Sequence, residues 1–240
     1  MGTSESRYRA FLEGRGREGL RRELIQFEVL DARSVKVAGK TYVNLASNDY
    51  LALRFHPALI ARAKEWAELH GAGAGASRLV TGNLSAFDAL EAKLARLKGK
   101  EAALIMASGF QTNGAVLQAL LDKAVLGEEP LVFSDRFNHA SMHFGCIAAG
   151  ARQNRYRHAD PRHLAQLLSQ YQGDTRPKFI LTESVFSMDG DVAPIGEIAT
   201  LAREHEAMLF VDDAHGTGIM GPTGRGTLEH FCLESTVFLY

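Results

Sequence analysis

The stretch Ala207–Gly218, AMLFVDDAHGTG, decides how this chain folds. Ala207 to Val211 are apolar or small and read as a buried strand. The strand delivers Asp212, Asp213 and His215 to its end, where Gly216 and Gly218 let the backbone turn away. Open α/β sheets bind ligands at the carboxyl ends of their strands. This edge is therefore where an acid and an imidazole would meet the ring of a ligand.

Working outward, the same strand-then-helix grammar repeats. AALIMA (102–107) reads as a strand and 112–121 as a helix; LVFSD (131–135) as a strand and 141–149 as a helix. RQNRYRH (152–158) and KFILTES (178–184) are further strands, followed by helices over 161–171 and 195–206. STVFLY (235–240) begins one more strand. Repeated βα units of this length predict a mostly parallel sheet with helices on both faces. Upstream, apolar spacing predicts one or two helices within 4–30, and alternation over 34–46 predicts a hairpin turning at Ala38-Gly39-Lys40. Helices are expected over 57–70 and 85–97, separated by the glycine-rich loop GAGAGASRLVTGN (71–83).

Composition sets the bounds. Hydrophobic residues make up 46% of the 240 residues and charged residues 23%, the balance of a globular chain with material for a core. A net charge of −1 gives no reason to expect nucleic acid or an anionic membrane surface as a partner. Two distant cysteines, a polar N-terminus and the lack of a long apolar run predict a soluble cytoplasmic protein.

The chemistry-bearing motifs cluster at predicted strand ends. After AALIMA, Ser108, Gly109 and the amides opening the next helix form a cradle for a phosphate, because free N–H groups and the helix dipole favour an anion there. A plain βα turn is the bland alternative. No G-x-x-x-x-G-K-[ST] loop occurs, and the glycines of 71–83 follow a helix rather than a strand, which argues against a dinucleotide fold. His139 follows LVFSD and offers a flat ring to stack on an aromatic ligand, or a helix cap. His139 and His143 are spaced i,i+4, but no third metal ligand stands near them. In LTESVFSMDGD, Glu183 and Ser187 are the functional candidates, while Asp189-Gly190 reads as a turn. In VDDAHG, an aspartate aimed at a pyridine nitrogen would keep it protonated, and His215 could bond a ring hydroxyl.

Taken together, SNDYL, GAGASRLVTGN, ASGFQTN, NHAS, ESVFSMDGD and VDDAHGTG resemble the α-oxoamine synthases, pyridoxal-phosphate enzymes of the aspartate-aminotransferase fold. The resemblance covers essentially the whole chain. It implies an α/β fold, the large domain of a type I aminotransferase-fold transferase, with a helical arm and hairpin over 1–45 and the cofactor domain over 46–240. By resemblance, Gly109 and Phe110 bind the cofactor's phosphate through their backbone, beside Ser108. His139 stacks on the ring, Ser187 and His215 contact its oxygen, and Asp212 pairs with its nitrogen. Arg21 meets the acyl substrate's carboxylate, and Asn48 and Glu183 line the site. His139, Asp212 and His215 are the residues implied in catalysis.

The resemblance also implies pyridoxal 5′-phosphate as cofactor, a homodimer, and two substrates, an amino acid and an acyl-CoA or acyl-carrier thioester. RLVTGN points to the branch that condenses L-alanine with a pimeloyl thioester and loses carbon dioxide. The alternatives are a glycine and acetyl-CoA user, or a non-catalytic cofactor-binding or dimer-partner protein. Two departures stand out. Phe87 occupies a position where the family has a histidine. The last lysine is Lys178, and the family's Schiff-base lysine would fall beyond Tyr240 together with the small domain. The expectation is a large domain incomplete at its C-terminus and a 240-residue chain with little or no synthase activity.

Overall fold

A computed structural model describes residues 3–234, and the chain divides into two compact units, Met1–Ala74 and Gly75–Tyr240. The strand expected over 235–240 lies outside the described residues. In the first unit, α1 (Ser4–Arg17) is followed by β1 (Glu28–Val29), β2 (Ser34–Val37), β3 (Lys40–Val43) and α2 (Pro57–His70). The helix expected to extend toward residue 30 stops early. Gly19 takes φ 67° and the Leu20 N–H returns to the Arg15 carbonyl, the left-handed stop that glycine favours. The predicted hairpin forms. Ala38 and Gly39 both adopt positive φ, which matches the twist of β2 and β3, and Val35 stands opposite Tyr42.

The second unit carries the sheet. In chain order it contains α3 (Ser85–Lys98), α4 (Gly109–Leu120), α5 (Lys123–Leu126), β4 (Leu131–Asp135), α6 (Ala140–Ala148), β5 (Gln153–Tyr156), α7 (Pro161–Ser169), β6 (Lys178–Glu183), α8 (Ile195–Glu204), β7 (Ala207–Asp212) and α9 (Thr227–His230). Strands β5-β4-β6-β7 lie side by side in that order, all parallel.

Side-chain alternation along these strands builds two cores. Phe133, Ile180, Leu209 and Val211 point to one face and pack with Leu164, Leu168 and Ile198 of α7 and α8. Val132, Phe179, Leu181 and Phe210 point to the other and pack with Leu117 of α4 and with Met142 and Cys146 of α6. A strand covered on both faces reads as a continuous apolar run, as LVF, FIL and LFV do. Burial also pushes the Cys146 thiol up to about 11, so it packs as a small hydrophobe.

One expected strand does not form. Residues 102–107 are extended but pair with no strand among the described residues. Side chains satisfy this backbone instead: the Ile105 N–H donates to the Glu91 carboxylate at 2.8 Å, and the Arg78 guanidinium donates to the Ile105 carbonyl at 2.9 Å. Hydrophobicity and β-branching made AALIMA read as a strand, but a strand also needs a neighbour to bond to.

Candidate functional site

Parallel strands in register bring their last residues together. Glu183 stands directly opposite Asp212 at the ends of β6 and β7, so two carboxylates share one corner of the sheet. Asp212 is well supplied with donors: the Asn113 side-chain amide reaches Oδ2 at 2.7 Å and the Ala214 N–H reaches Oδ1 at 3.0 Å.

Glu183 is in the opposite situation. Its side chain is buried, accepts the backbone N–H groups of His139 and Ser187, and leaves Oε1 with no partner among the described residues. Burial, reinforced by the charge of Asp212, raises its pKa to about 7. A raised carboxyl destabilises the fold as pH climbs, because the unfolded chain ionises near 4.5 while the folded one holds its proton. Glu183→Gln is therefore expected to gain stability over the native chain as pH rises. Each tenfold difference in proton affinity between folded and unfolded chain is worth about 1.4 kcal/mol, so the gain approaches about 3 kcal/mol above pH 7. Urea melts near pH 5 and pH 8 check it; a gain that does not grow between them contradicts the assignment.

Ser108 is the N-cap of α4. Its hydroxyl accepts the Gln111 N–H at 3.2 Å and leaves Gly109 and Phe110 in the first turn, where helix N–H groups have no intrahelical acceptor. The Phe110 ring lies 6.4 Å from the His139 ring in an edge contact. His139 itself caps α6 through Nδ1, accepting from the Ser141 N–H, while its ring stays exposed. Both sequence readings of His139, cap and exposed ring face, describe the same side chain. His143 turns away to Gln153 Oε1 at 2.7 Å, so the i,i+4 pair does not converge.

The loop carrying Ser187 is held from below. The Phe186 N–H bonds the Asp191 carbonyl, Ala193 N–H the Ser184 carbonyl, and Ser184 N–H the Asp212 carbonyl, which ties the loop to the end of β7. Asp191 also meets His158 Nε2 at 3.0 Å, and His158 Nδ1 meets the buried Asp135 at 3.1 Å. Phe137 stacks on the His158 ring and Phe186 meets it edge-on. Ser187 is exposed above this clamp.

Asp213 points inward to a different task. It accepts the Ser184 hydroxyl at 2.6 Å and pairs with Lys98 at 3.1 Å, fixing the turn that carries His215. Gly216 and Gly226 pack so closely on its carboxylate that a Cβ at either would collide with it. Phe87, the departure from the family's histidine, lies under the Arg78 guanidinium, 4.5 Å from its ring centroid, and so packs. Arg21 and Asn48 belong to the first unit, both exposed, with Arg21 3.7 Å from Glu23.

Residues that sequence reading passed over complete the site: Asn113, Ser141, His158 and Asp135. Asn113 left a trace. It continues the buried i, i+4, i+8 row of Leu117 and Leu121, so a polar residue stands on an apolar face. His158 left none, since its partners come from elsewhere in the chain, Asp135 from the end of β4 and Asp191 from the loop after β6.

Residues 40–234 match Aminotransferase class I and II. The chain belongs to that family. Within the aminotransferase class I and II family it is similar to the 8-amino-7-oxononanoate synthase of Gluconacetobacter diazotrophicus, at 55% identity over 194 residues, 80% of this chain and 49% of that relative. Among solved structures, Sphingomonas wittichii serine palmitoyltransferase superposes with a TM-score of 0.88 at 29% identity, covering 98% of this chain and 59% of that one. A serine palmitoyltransferase structure described as holding pyridoxal phosphate gives the same TM-score at the same identity and coverage. The chain spans about half the length of the curated relatives it matches.

Proposed function

We propose that the second unit is the pyridoxal-phosphate-binding part of an 8-amino-7-oxononanoate synthase, which joins L-alanine to a pimeloyl thioester with loss of carbon dioxide in biotin synthesis. The observation that carries this reading is the sheet corner where the Asn113 amide and the Ala214 N–H hold the Asp212 side chain. The N-terminus of α4 and the rings of His139 and Phe110 stand at the same edge. The residues present fit the cofactor. Gly109 and Phe110 N–H groups would take its phosphate, Asp212 its ring nitrogen, Ser187 and His215 its ring oxygen, and the exposed His139 ring would stack on it. When bound, pyridoxal phosphate supplies an electron sink.

On this reading the protein's own residues would contribute as follows. Asp212 holds a proton on the ring nitrogen by charge. His139 covers the ring and excludes water from that face. Glu183, with its free Oε1, lines the corner as a buried acid. Arg21, for the acyl substrate's carboxylate, and Asn48 are the candidates that the first unit offers. The 55% identity to a synthase of this name favours alanine and pimeloyl chemistry over the glycine and acetyl-CoA alternative. A homodimer and a cytoplasmic location complete the reading; no helix among the described residues is long and apolar enough to cross a membrane.

Two ligands test it. Pyridoxine 5′-phosphate lacks the aldehyde and cannot bond a lysine covalently, so it reports the cradle alone. The 240-residue chain is expected to bind it saturably, one per chain. With pyridoxal phosphate, L-alanine and pimeloyl-CoA, turnover is expected to stay at background. No lysine follows Lys178, and Lys178 itself donates to the Asp174 carbonyl at the far end of β6. A stoichiometric single-site adduct after borohydride, with turnover, would overturn that expectation. No saturable binding of either phosphate would overturn the cofactor reading.

A further inference from the structure

Helices α4 and α6 cross at glycines. A Cβ on Gly145 would lie 2.8 Å from the Leu117 Cβ and 2.9 Å from the Asn113 carbonyl, and one on Gly114 would lie 3.2 Å from the Phe144 ring. This close approach places the buried Asn113 beside Ser141 in the first turn of α6. The Asn113 amide has two protons to give. One goes to Asp212 Oδ2 at 2.7 Å and the other to the Ser141 hydroxyl at 3.0 Å. The amide's orientation follows from its neighbour, since a flipped amide would set its oxygen against the Asp212 carboxylate.

The direction of each bond then propagates. The Ser141 hydroxyl, which accepts from Asn113, lies 2.7 Å from His139 Nδ1. The Ser141 backbone N–H points at the same nitrogen from 3.3 Å. A backbone N–H can only donate, so Nδ1 accepts, the hydroxyl beside it donates to it as well, and the ring carries its proton on Nε2.

We propose that Asn113 and Ser141 are positioning residues that couple Asp212 to His139, holding the carboxylate ready for a cationic ring and fixing His139 as its uncharged Nε2–H tautomer. This inference rests on the cofactor reading above for its purpose: an uncharged imidazole can lie on a protonated pyridine ring without charge repulsion. Its geometry does not depend on that reading. Position 113 lies on the buried face of α4, one turn before Leu117. A polar residue there costs free energy unless its bonds are made.

The test reads the tautomer directly, in the chain without cofactor. Long-range proton–nitrogen NMR on histidine-labelled protein distinguishes the protonated nitrogen, and the His139 signals are identified by their loss in His139→Gln. The native chain is expected to show His139 protonated on Nε2 alone; a proton on Nδ1 there overturns the proposal without any variant. In Asn113→Ala the Ser141 hydroxyl loses the bond that orients it, and in Ser141→Ala it is gone, which leaves the longer 3.3 Å backbone N–H as the one fixed donor to Nδ1. Both folded variants are expected to show the second tautomer and to bind pyridoxine 5′-phosphate about tenfold more weakly.

Gly145→Ala keeps all four polar side chains but forces α4 and α6 apart. It is expected to move the tautomer in the same direction, and it serves if a polar variant does not fold. Unchanged tautomers in the folded variants, with ligand binding intact, overturn the coupling and leave the cofactor reading standing. The expected tautomer shifts with no phosphate binding in the native chain overturn the cofactor reading and leave the coupling standing.

Discussion

Asp213→Ala is expected to cost about 3–5 kcal/mol of stability, the range for removing one partner of a buried ion pair. Lys98 is largely buried, and burial lowers its pKa, so its ammonium is tolerated because Asp213 stands 3.1 Å away. Asp213 also accepts the hydroxyl of Thr217 and the N–H of Thr227, so its loss unties α3, the end of β7 and the start of α9 together. Asp213→Asn keeps the shape while losing the charge and should cost less. Urea unfolding measures both; a loss below about 1 kcal/mol for the alanine variant would show that Lys98 finds water readily and that the pair is peripheral.

Asp212→Ala acts on binding instead. A hydrogen bond to a charged group contributes about 1.5–3 kcal/mol, so the affinity for pyridoxine 5′-phosphate is expected to fall about tenfold to a hundredfold. Adjacent in sequence, the two aspartates alternate across the strand end: one is held by donors at the exposed edge, the other faces inward on a lysine. Affinity unchanged in Asp212→Ala would mean that the ring nitrogen lies elsewhere.

The contrast between these neighbours shows how far the sequence could be read. The apolar runs LVF, FIL and LFV announced a doubly covered parallel sheet, because burial on both faces removes the polar alternation. VDDAHG announced the functional edge, because charged residues directly after such a run must emerge at a strand end. Local pattern did not separate Asp212 from Asp213; the family resemblance alone named Asp212, because the contact that occupies Asp213 comes from Lys98, 115 positions away. The failed strand at 102–107 has the same origin: local propensity was right, but pairing is a tertiary property. Asn113 and His158 join residues from separate βα units, and such bonds have no sequence period.

The central claim is that the carboxyl edge of this sheet holds the ring and phosphate of pyridoxal phosphate. Its most direct test is a titration of the 240-residue chain with pyridoxine 5′-phosphate, followed by backbone amide NMR. The amides expected to move lie at Gly109, Phe110, Ser187, Ala214 and His215, around Asp212, saturating together at one ligand per chain. Shifts scattered over surface lysines, or confined to positions away from the ends of β6 and β7, would contradict the account.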